Sequence, residues 1–454
     1  MNDTIAAIST PLGEAGIGIV RLSGPQAEAI ARGLFRPRRP VKVWRSQRLY
    51  LGHIFDSQGS VIDEVLLSIM RAPHSYTRED VVEINCHSGY LILKRILAEA
   101  LARGARLAKP GEFTLRAFLS GRLDLTQAEA VLEVIRARTE AGLRVAAGHL
   151  QGGLGRRLRE VRQGLLDLLA RVEAALDFPE EAQELEPVQI SKAFVQPVHF
   201  LTQLCDTYRE GRLLQEGLRV VIAGRPNVGK SSLLNRLLAT ERAIVTEIPG
   251  TTRDVIEEGL AIQGIPVLLT DTAGLRRRAG DRVEELGMAK TRERLEAADI
   301  VLYLVEGSRP LDEEDRRTLA ELAGRAGLAV INKIDLPQVL AEQELQPYTT
   351  FPIVRICALT GQGLEDLQQA VVDLALAGGV CHEGEVITQA RHHQHLAAGL
   401  NYLLKAQELL SPAPPWEIVA EELRAAIREL GEITGEEVGD DILERIFAQF
   451  CIGK

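Results

Sequence analysis

Residues 224–231 read Gly224-Arg225-Pro226-Asn227-Val228-Gly229-Lys230-Ser231 and match the pattern G-x-x-x-x-G-K-[ST]. The apolar run from Leu218 to Ala223 precedes this stretch, and a helical pattern rich in leucine follows it. Glycines let backbone N–H groups surround phosphate groups at the start of a helix, where a lysine adds positive charge. The stretch therefore predicts a strand, a phosphate-binding loop and a helix. Standing alone, it could also be an ordinary glycine-rich turn.

Short apolar runs alternate with helical stretches around this loop, from Leu218 to about residue 378. Such alternation is typical of a parallel sheet with covering helices. The phosphate loop would then lie at the end of one strand, beside the ends of its neighbours. The runs are Leu218 to Ala223, Val267 to Thr270, Ile300 to Val305, Leu328 to Ile331 and Pro352 to Ile356.

Three further motifs follow these runs in the order that a guanine-nucleotide site requires. The first, Asp271 to Gly274, offers an acid for a metal ion and a glycine beside the last phosphate. The second, Asn332 to Asp335, ends in a carboxylate that can accept two hydrogen bonds from guanine, which adenine cannot donate. The third, Cys357-Ala358-Leu359, can place a backbone N–H on the guanine oxygen. Together the motifs predict a GTP site.

Each predicted side chain has a role in that site. Lys230 would contact the terminal phosphates, and the Ser231 hydroxyl would bind Mg2+. The loop containing Thr251 and Thr252 would close on Mg2+ when the last phosphate is present.

Leu275 stands where many small GTPases carry a glutamine that orients the attacking water. The protein therefore either hydrolyses GTP poorly or positions water in another way. Asn227 could help hold a monovalent cation that replaces an arginine finger, a contribution of about 10³–10⁵ in rate. Glu284 could orient the water. From the residues alone, an ordinary polar residue is the favoured interpretation of each.

Composition and length set wider limits. The 454 residues predict roughly three domains, and the net charge of −10 argues against a nucleic-acid coat protein but not against a local basic patch. Five cysteines without a C-x-x-C pair argue against a disulfide framework or a zinc ribbon. We expect no signal peptide and no membrane-spanning run, and hence a cytoplasmic protein.

The predicted fold class is multidomain, combining α/β, all-α and α+β parts. An N-terminal α+β domain covers residues 1–118, and a helical domain has a first part at 119–213 and a second part at 385–454. A Ras-like P-loop GTPase domain is inserted at 217–378. Thr126 and Glu129 have the spacing of a capping box, and Gly431 is predicted to end the first helix of the tail.

Several blocks together resemble the MnmE (TrmE) family of bacterial tRNA-modification GTPases, and the similarity covers essentially the whole chain. The most specific block is the ending Phe450-Cys451-Ile452-Gly453-Lys454. The others are the phosphate loop with Asn227, residues 246–254 (Thr-Glu-Ile-Pro-Gly-Thr-Thr-Arg-Asp), and residues 18–24, 110–114 and 123–130.

The resemblance implies a homodimer, formed through the N-terminal domain, that works with an FAD-dependent partner, MnmG (GidA). Together they would add an aminomethyl or carboxymethylaminomethyl group to the wobble uridine of certain tRNAs. It also implies that K+ pairs the GTPase domains and that GTP is then hydrolysed without an external activator.

The resemblance also assigns residues. K+ would be held by Asn227, Thr246, Ile248 and Thr251, and Mg2+ by Ser231 and Thr252, while Lys230 and Glu284 would act in catalysis. The full set of predicted GTP-binding residues is Asn227, Val228, Gly229, Lys230, Ser231, Ser232, Thr246, Glu247, Ile248, Pro249, Gly250, Thr251, Thr252, Asp271, Thr272, Ala273, Gly274, Asn332, Lys333, Asp335, Cys357, Ala358 and Leu359.

A tetrahydrofolate derivative, 5-formyl- or 5,10-methylene-tetrahydrofolate, is a further cofactor that the resemblance implies. Its predicted ligands are Arg21, Glu83, Arg122 and Lys454. A carboxylate can accept the paired N–H groups of a pterin, and arginines suit an anionic glutamate tail. Without the resemblance, the arginines would be solvated surface charges and Glu83 a water-facing strand residue. Cys451 is either a reactive thiol or an inert small side chain.

Other interpretations stay open at this point. The chain could be a regulatory GTPase that binds ribosomes, although no RNA-binding module follows the GTPase domain. It could also be the soluble half of a GTP-driven transporter. Four arginines, at 156, 157, 159 and 162, either contact tRNA phosphates or form a charged helix face.

Overall fold

The computed structural model of the chain describes residues 3–177, 186–240, 258–271, 297–376, 385–410 and 414–454. The chain divides into two compact units. The first unit comprises Met1–Leu132, His149–Pro187 and Lys405–Lys454, and the second comprises Glu133–Gly148 and Val188–Leu404. Among the helices described, none is both long enough and apolar enough to cross a membrane.

A seven-stranded sheet forms the N-terminal part of the first unit, in the order β3-β4-β5-β6-β2-β1-β7. Neighbouring strands are antiparallel except β1 and β7, which are parallel. Aliphatic residues of one sheet face pack with α1 and α2 in a buried core. The elements are β1 (Ile5–Ile8), β2 (Ala15–Ser23), α1 (Ala27–Leu34), β3 (Phe35–Pro37), β4 (Arg48–Phe55), β5 (Val61–Met70), β6 (Val81–Ser88), α2 (Tyr90–Ala102) and β7 (Arg106–Leu107).

Helices follow this sheet along the chain. Residues 125–177, in the first part of the predicted helical domain, form three helices, and α6 buries leucines at spacings of three and four. The helices of this region and the tail are α3 (Glu112–Leu119), α4 (Leu125–Arg136), α5 (Glu140–Leu150), α6 (Gly153–Asp177), α12 (Ala390–Glu408), α13 (Trp416–Thr434) and α14 (Asp440–Phe447).

The capping box predicted at the start of α4, Thr126 with Glu129, is wrong. The observed box lies two residues earlier and consists of Asp124 and Gln127. The Asp124 carboxylate accepts from the N–H of Gln127 at 2.9 Å, and the Gln127 amide oxygen accepts from the N–H of Asp124 at 3.0 Å. The Thr126 hydroxyl instead donates to Asp124 at 2.6 Å. Asp124 and Thr126 both carry side chains that can cap a helix. The box that forms is the one that satisfies the backbone N–H groups nearest the helix start.

The predicted helix end at Gly431 is also wrong, because α13 continues to Thr434 and ends at Gly435. Gly435 has φ +90°, the left-handed conformation that glycine adopts without steric cost. Gly431 instead lies inside the helix, where a Cβ atom would be 3.4 Å from the Arg162 side chain and 3.2 Å from Glu437. A need for close packing therefore explains this glycine better than a helix end.

The second unit contains a six-stranded sheet in the order β13-β12-β11-β8-β10-β9. Five strands are parallel, as predicted, but β9 was not predicted and pairs antiparallel with β10. A tight turn at Gln263-Gly264, both with positive φ, joins these two strands. The elements are α7 (Pro187–Asp206), α8 (Tyr208–Glu216), β8 (Leu218–Gly224), α9 (Lys230–Thr240), β9 (Glu258–Ile262), β10 (Ile265–Asp271), β11 (Ile300–Glu306), α10 (Glu313–Glu321), β12 (Gly327–Asn332), β13 (Ile353–Arg355) and α11 (Leu364–Leu376).

Helices that precede this sheet in sequence contribute to its core. Leu213 and Leu214 of α8 are buried in the same cluster as the strand residues, and Ala141 and Val145 of α5 pack against that cluster. The predicted multidomain class, with its α+β, helical and P-loop parts, is confirmed. The domain boundaries given above remain predictions.

Arg116 of α3 is the centre of a charged cluster in the first unit, with only 2% of its side chain exposed. Its guanidinium donates to Asp3 at 2.8 Å, Glu79 at 3.0 Å and Glu112 at 3.1 Å. Burial favours the neutral form of Glu112, but hydrogen bonds from Arg106, from a backbone N–H and from Arg116 outweigh it and lower its pKa. The cluster therefore joins the start of the chain to α3 and to the loop before β6.

We predict that Arg116→Met destabilises the first unit by about 3–5 kcal/mol, because it deprives the buried Glu112 and the more exposed Glu79 and Asp3 of the buried cation that they share. The measurement is the urea midpoint of the full chain, followed by circular dichroism. Lys94→Met, an exposed lysine of α2, is the matched control and should change stability by less than about 0.5 kcal/mol. Equal midpoints for the two variants would show that the cluster contributes no net stability.

Candidate functional site

The phosphate-loop sequence lies between the end of β8 at Gly224 and the start of α9 at Lys230. Gly224 and Gly229 have φ +137° and +103°, which a side chain rarely permits. Asn227 also has positive φ, +68°, and its side chain is exposed. The sequence therefore folds locally as predicted: a strand, a tight loop with several N–H groups and a helix N-terminus.

Lys230 is the first residue of α9 and only 6% exposed. Its ammonium group donates to the carbonyl oxygens of Gly224 at 2.6 Å and Arg225 at 2.7 Å, so it lies across the loop. The next two residues, Ser231 and Ser232, are exposed on the first turn of the helix. This arrangement places a cation and two hydroxyl groups where phosphate groups and their metal would bind.

Asn332, the last residue of β12, joins three predicted motifs and is 2% exposed. Its amide nitrogen donates to the carbonyl oxygen of Val228 at 2.7 Å, and its amide oxygen accepts from the N–H of Ala358 at 3.0 Å. A Cβ atom on Gly229 would collide with the same amide nitrogen, so glycine is required there. One side chain thus fixes the phosphate loop relative to both predicted base-binding segments.

Asp335 is exposed beyond the end of β12, where it can meet a base. The thiol of Cys357, 1% exposed, donates to the Asp335 carboxylate with a sulfur–oxygen distance of 3.1 Å. The N–H of Ala358 is occupied by Asn332, whereas the N–H of Leu359 has no hydrogen-bond partner within the described ranges. This arrangement leaves a carboxylate and one backbone donor for the edge of a guanine.

Lys333, between these residues, has φ +67°, and its ammonium lies 3.0 Å from Glu306 at the end of β11. Burial opposes ionisation of Glu306, but hydrogen bonds from Ser308 and Lys333 outweigh it and lower its pKa. Sequence reasoning missed Glu306, although an acidic residue directly after an apolar run was a visible signal. The ion pair with Glu306 therefore fixes the position of the Lys333 side chain.

Arg225 was quoted only as part of the loop, yet it makes ion pairs outside it. Its guanidinium lies 2.6 Å from Asp312, which caps the N-terminus of α10, and 3.9 Å from Asp315. Asp315 accepts a hydrogen bond from the buried Tyr303 hydroxyl at 2.9 Å, and burial raises the pKa of Asp315. These ion pairs attach the beginning of the phosphate loop, at Arg225, to the start of α10.

Part of the predicted site lies outside the described residues. Asp271 ends β10, in register with Ile222 of β8, so its backbone is at the expected sheet edge. The remaining predicted residues without a description are Thr246, Glu247, Ile248, Pro249, Gly250, Thr251, Thr252, Thr272, Ala273, Gly274 and Glu284.

The predicted folate residues come together in the first unit. Arg21 of β2 and Glu83 of β6 are direct cross-strand neighbours, and the guanidinium lies 2.8 Å from Oε1 of Glu83. The other carboxylate oxygen of Glu83 has no hydrogen-bond partner in the part of the chain described. Arg21 also donates to the carbonyl oxygen of Gly453 at 3.2 Å, which brings the C-terminal residues to the sheet.

An aromatic ring that sequence reasoning missed, that of Tyr76, lies among these residues. The guanidinium carbon of Arg122 is 4.8 Å from the ring centroid, and that of Arg21 is 5.8 Å from it. The backbone of Lys454 accepts from the N–H of Phe113 at 3.1 Å, and Cys451 is exposed nearby in sequence. All four predicted folate residues thus belong to one small region.

The arginines of α6 favour the structural interpretation. Arg159 pairs with Asp124 at 2.8 Å, and Arg162 pairs with Glu436 at 2.5 Å and Glu437 at 2.9 Å. These contacts connect α6 to the helices around it within the first unit. Two of the four arginines proposed for tRNA contact are therefore already neutralised.

Comparison with known proteins tests the resemblance directly. The model of the MnmE helical domain matches residues 125–451, and the model described as "GTP-binding protein TrmE N-terminus" matches residues 4–122. Three relatives named tRNA modification GTPase MnmE align along the whole chain. They come from Carboxydothermus hydrogenoformans (48% identical), Chloroflexus aurantiacus (47%) and Geobacter sulfurreducens (46%), with 100% of this chain and 100% of each relative covered.

These matches agree with the geometry of the loop, the base-binding segments and the parallel sheet, and they confirm the resemblance on which the sequence interpretation depended. The chain is thus a GTP-hydrolysing enzyme, and it belongs to the tRNA modification GTPase MnmE family.

Proposed function

We propose that this protein couples K+-dependent GTP hydrolysis to modification of the wobble uridine of certain tRNAs in the cytoplasm. It would act with an FAD-dependent partner of the MnmG (GidA) type to add an aminomethyl or carboxymethylaminomethyl group. The main support is identity of 46–48% over the full length with proteins named tRNA modification GTPase. The contacts around Asn332 support the nucleotide part of the proposal independently.

GTP selectivity follows from the base-binding segments. Asp335 would accept the two N–H groups of the guanine edge, and the free N–H of Leu359 would donate to the guanine oxygen. Because Asn332 holds both segments against the phosphate loop, the base and the triphosphate would be bound as one rigid unit. Lys230 would then exchange its carbonyl partners for the terminal phosphates, since its ammonium already lies across the loop.

The exposed groups of the phosphate loop suit two cations. Ser231 offers a hydroxyl oxygen to Mg2+, and Asn227 offers an amide oxygen to K+ from its exposed side chain. When bound, the two ions supply positive charge beside the phosphates, where Leu275 provides no water-orienting group. Thr252 would complete the Mg2+ site, Thr246, Ile248 and Thr251 the K+ site, and Glu284 would orient the water.

The region around Tyr76 suits a tetrahydrofolate derivative. The second carboxylate oxygen of Glu83 can accept an N–H of a pterin, while Arg21 binds the first. Arg122 and Lys454 add positive charge for a glutamate tail. When bound, the folate supplies a one-carbon unit, and these residues orient it.

A homodimer is supported by the part of the N-terminal sheet at β4 and β5, where one face exposes leucines. Leu49 and Leu51 of β4 and Leu66 of β5 are exposed there, and Leu51 lies directly opposite Leu66. Aliphatic residues grouped on one sheet face are typical of a surface that a second molecule covers. The proposal therefore includes dimerisation through this sheet.

We predict that GTP hydrolysis is faster in K+ than in Na+ at equal ionic strength, by up to about 10³–10⁵ if the ion replaces an arginine finger. Asn227→Ala should remove most of this difference by deleting a K+ ligand. The exposed Asn235→Ala of α9 is the matched control. Initial rates of phosphate release test the prediction, and equal wild-type rates in the two salts would disprove the cation mechanism.

We predict that Cys357 sets the orientation of Asp335. Cys357→Ala should reduce the ratio of GTP to ITP affinity by about three- to tenfold, because inosine lacks the amino group that a positioned carboxylate recognises. Cys357→Ser keeps a donor and should retain the ratio. Fluorescence competition for both nucleotides tests this. A packing defect alone would weaken both nucleotides equally and leave the ratio unchanged in all three proteins.

Nucleoside analysis of tRNA tests the function as a whole. A strain lacking this protein should lose the modified wobble uridine, and the wild-type gene should restore it. The competing interpretation, a GTPase that binds ribosomes, instead expects intact nucleosides and a defect in ribosome assembly.

A further inference from the structure

Residues 32–48 form a basic segment on an otherwise acidic protein. The segment contains seven cationic residues, and no Asp or Glu occurs between Glu28 and Asp56. The chain as a whole has a net charge of −10, so this concentration of positive charge is local. The cations of the basic segment are Arg32, Arg36, Arg38, Arg39, Lys42, Arg45 and Arg48.

The basic segment has a fixed conformation against the end of the N-terminal sheet. The N–H of Arg38 donates to Leu51 at 2.9 Å, and the N–H of Gln47 donates to Ile69 at 2.6 Å. The Tyr50 hydroxyl bonds both the N–H and the carbonyl oxygen of Arg45. Hydrogen bonds at Arg38, Arg45 and Gln47 therefore hold the backbone of the basic segment, so its charged side chains extend from fixed positions.

Trp44 anchors the middle of the basic segment. Its ring lies 6.0 Å from Phe35 and 4.7 Å from Tyr50, partly buried against the sheet core. The guanidinium of Arg32 lies 4.9 Å from the Trp44 ring, and that of Arg36 lies 4.2 Å from Phe55. The aromatic rings thus hold two guanidinium groups while the remaining cations extend outward.

All seven cations are exposed, and most lack an acidic partner. Arg32 lies 3.5 Å from Glu28, and Arg38 lies 3.9 Å from Glu64, both weak exposed pairs. Arg39, Lys42, Arg45 and Arg48 make no ion pair within the described ranges. Clustering unpaired like charges costs free energy, which an anionic partner would offset.

We propose that the basic segment is a binding surface for the phosphate backbone of RNA. RNA presents closely spaced phosphates, and six of the seven cations are arginines, whose planar guanidinium pairs with phosphate in a bidentate manner. Because the chain as a whole carries a net charge of −10, RNA phosphates would be repelled from the rest of the protein more than from this segment. Trp44 packs into the protein rather than projecting outward, which fits a polyanion better than a lipid bilayer. The choice of tRNA as the RNA rests on the proposed function.

The test uses the full-length protein and fluorescently labelled tRNA, with anisotropy measured from 50 to 200 mM KCl. Each lost phosphate contact lowers the slope of log affinity against log salt by about one. The triple variant Lys42→Gln, Arg45→Gln and Arg48→Gln should bind about tenfold or more weakly, with a slope reduced by about two to three. Circular dichroism and GTP hydrolysis should match those of the wild type.

The matched control removes three exposed arginines elsewhere, Arg144→Gln, Arg171→Gln and Arg428→Gln, and should bind tRNA like the wild type. Equal binding by the triple variant, equal weakening in the control, or no tRNA binding by the wild type would overturn the proposal. Vesicles of phosphatidylglycerol and phosphatidylcholine form a second arm, and preferential binding to them through the same residues would assign a membrane instead.

Nucleoside analysis separates this proposal from the proposed function. If the wild-type gene restores the wobble modification but the triple variant binds tRNA normally, the basic segment is not the RNA surface and the function stands. If the wild-type gene restores nothing, the proposed function fails whatever the anisotropy shows.

Discussion

The two hydrogen bonds of the Asn332 side chain are the constraint on which the nucleotide site depends. Its amide group stands between the phosphate loop and the segment that follows the last strand, and it satisfies one backbone group of each. Both backbone groups are buried, so leaving either unpaired would cost about 1–3 kcal/mol. The phosphate loop and the segment that follows β13 are therefore held relative to each other by Asn332, so nucleotide binding does not have to order these two segments.

Two further contacts hold the segments that Asn332 connects. Arg225 connects the phosphate loop to the capped start of α10, and Cys357 connects the Asp335 carboxylate to the segment that follows β13. Both contacts are made by side chains within the predicted GTP-binding segments. We therefore expect nucleotide selectivity to depend on these supporting contacts as well as on the groups that contact the base.

The parts of the fold that local pattern determines were predictable. The phosphate loop, the five parallel strands and the motifs at their ends follow from short spacings in the sequence, and the Asn332 motif was assigned correctly to a strand end. Choices between nearby residues were not predictable. Asp124 rather than Thr126 caps α4, and Gly435 rather than Gly431 ends α13, because the packing of distant segments decides between them. The charged cluster around Arg116 could not be predicted for the same reason, because Arg116 and Asp3 are 113 positions apart in the sequence.

The contact between Arg21 and Gly453 has a consequence for biosynthesis. Arg21 and Gly453 are 432 positions apart, so β2 leaves the ribosome long before Gly453 has been synthesised. Chains grow at about 5–20 residues per second, and N-terminal domains usually fold first. A sheet that folds during synthesis would therefore exist for about 20–90 s before its contact with Gly453 can form. The speed of translation thus sets the earliest time at which the first and last parts of the chain can meet.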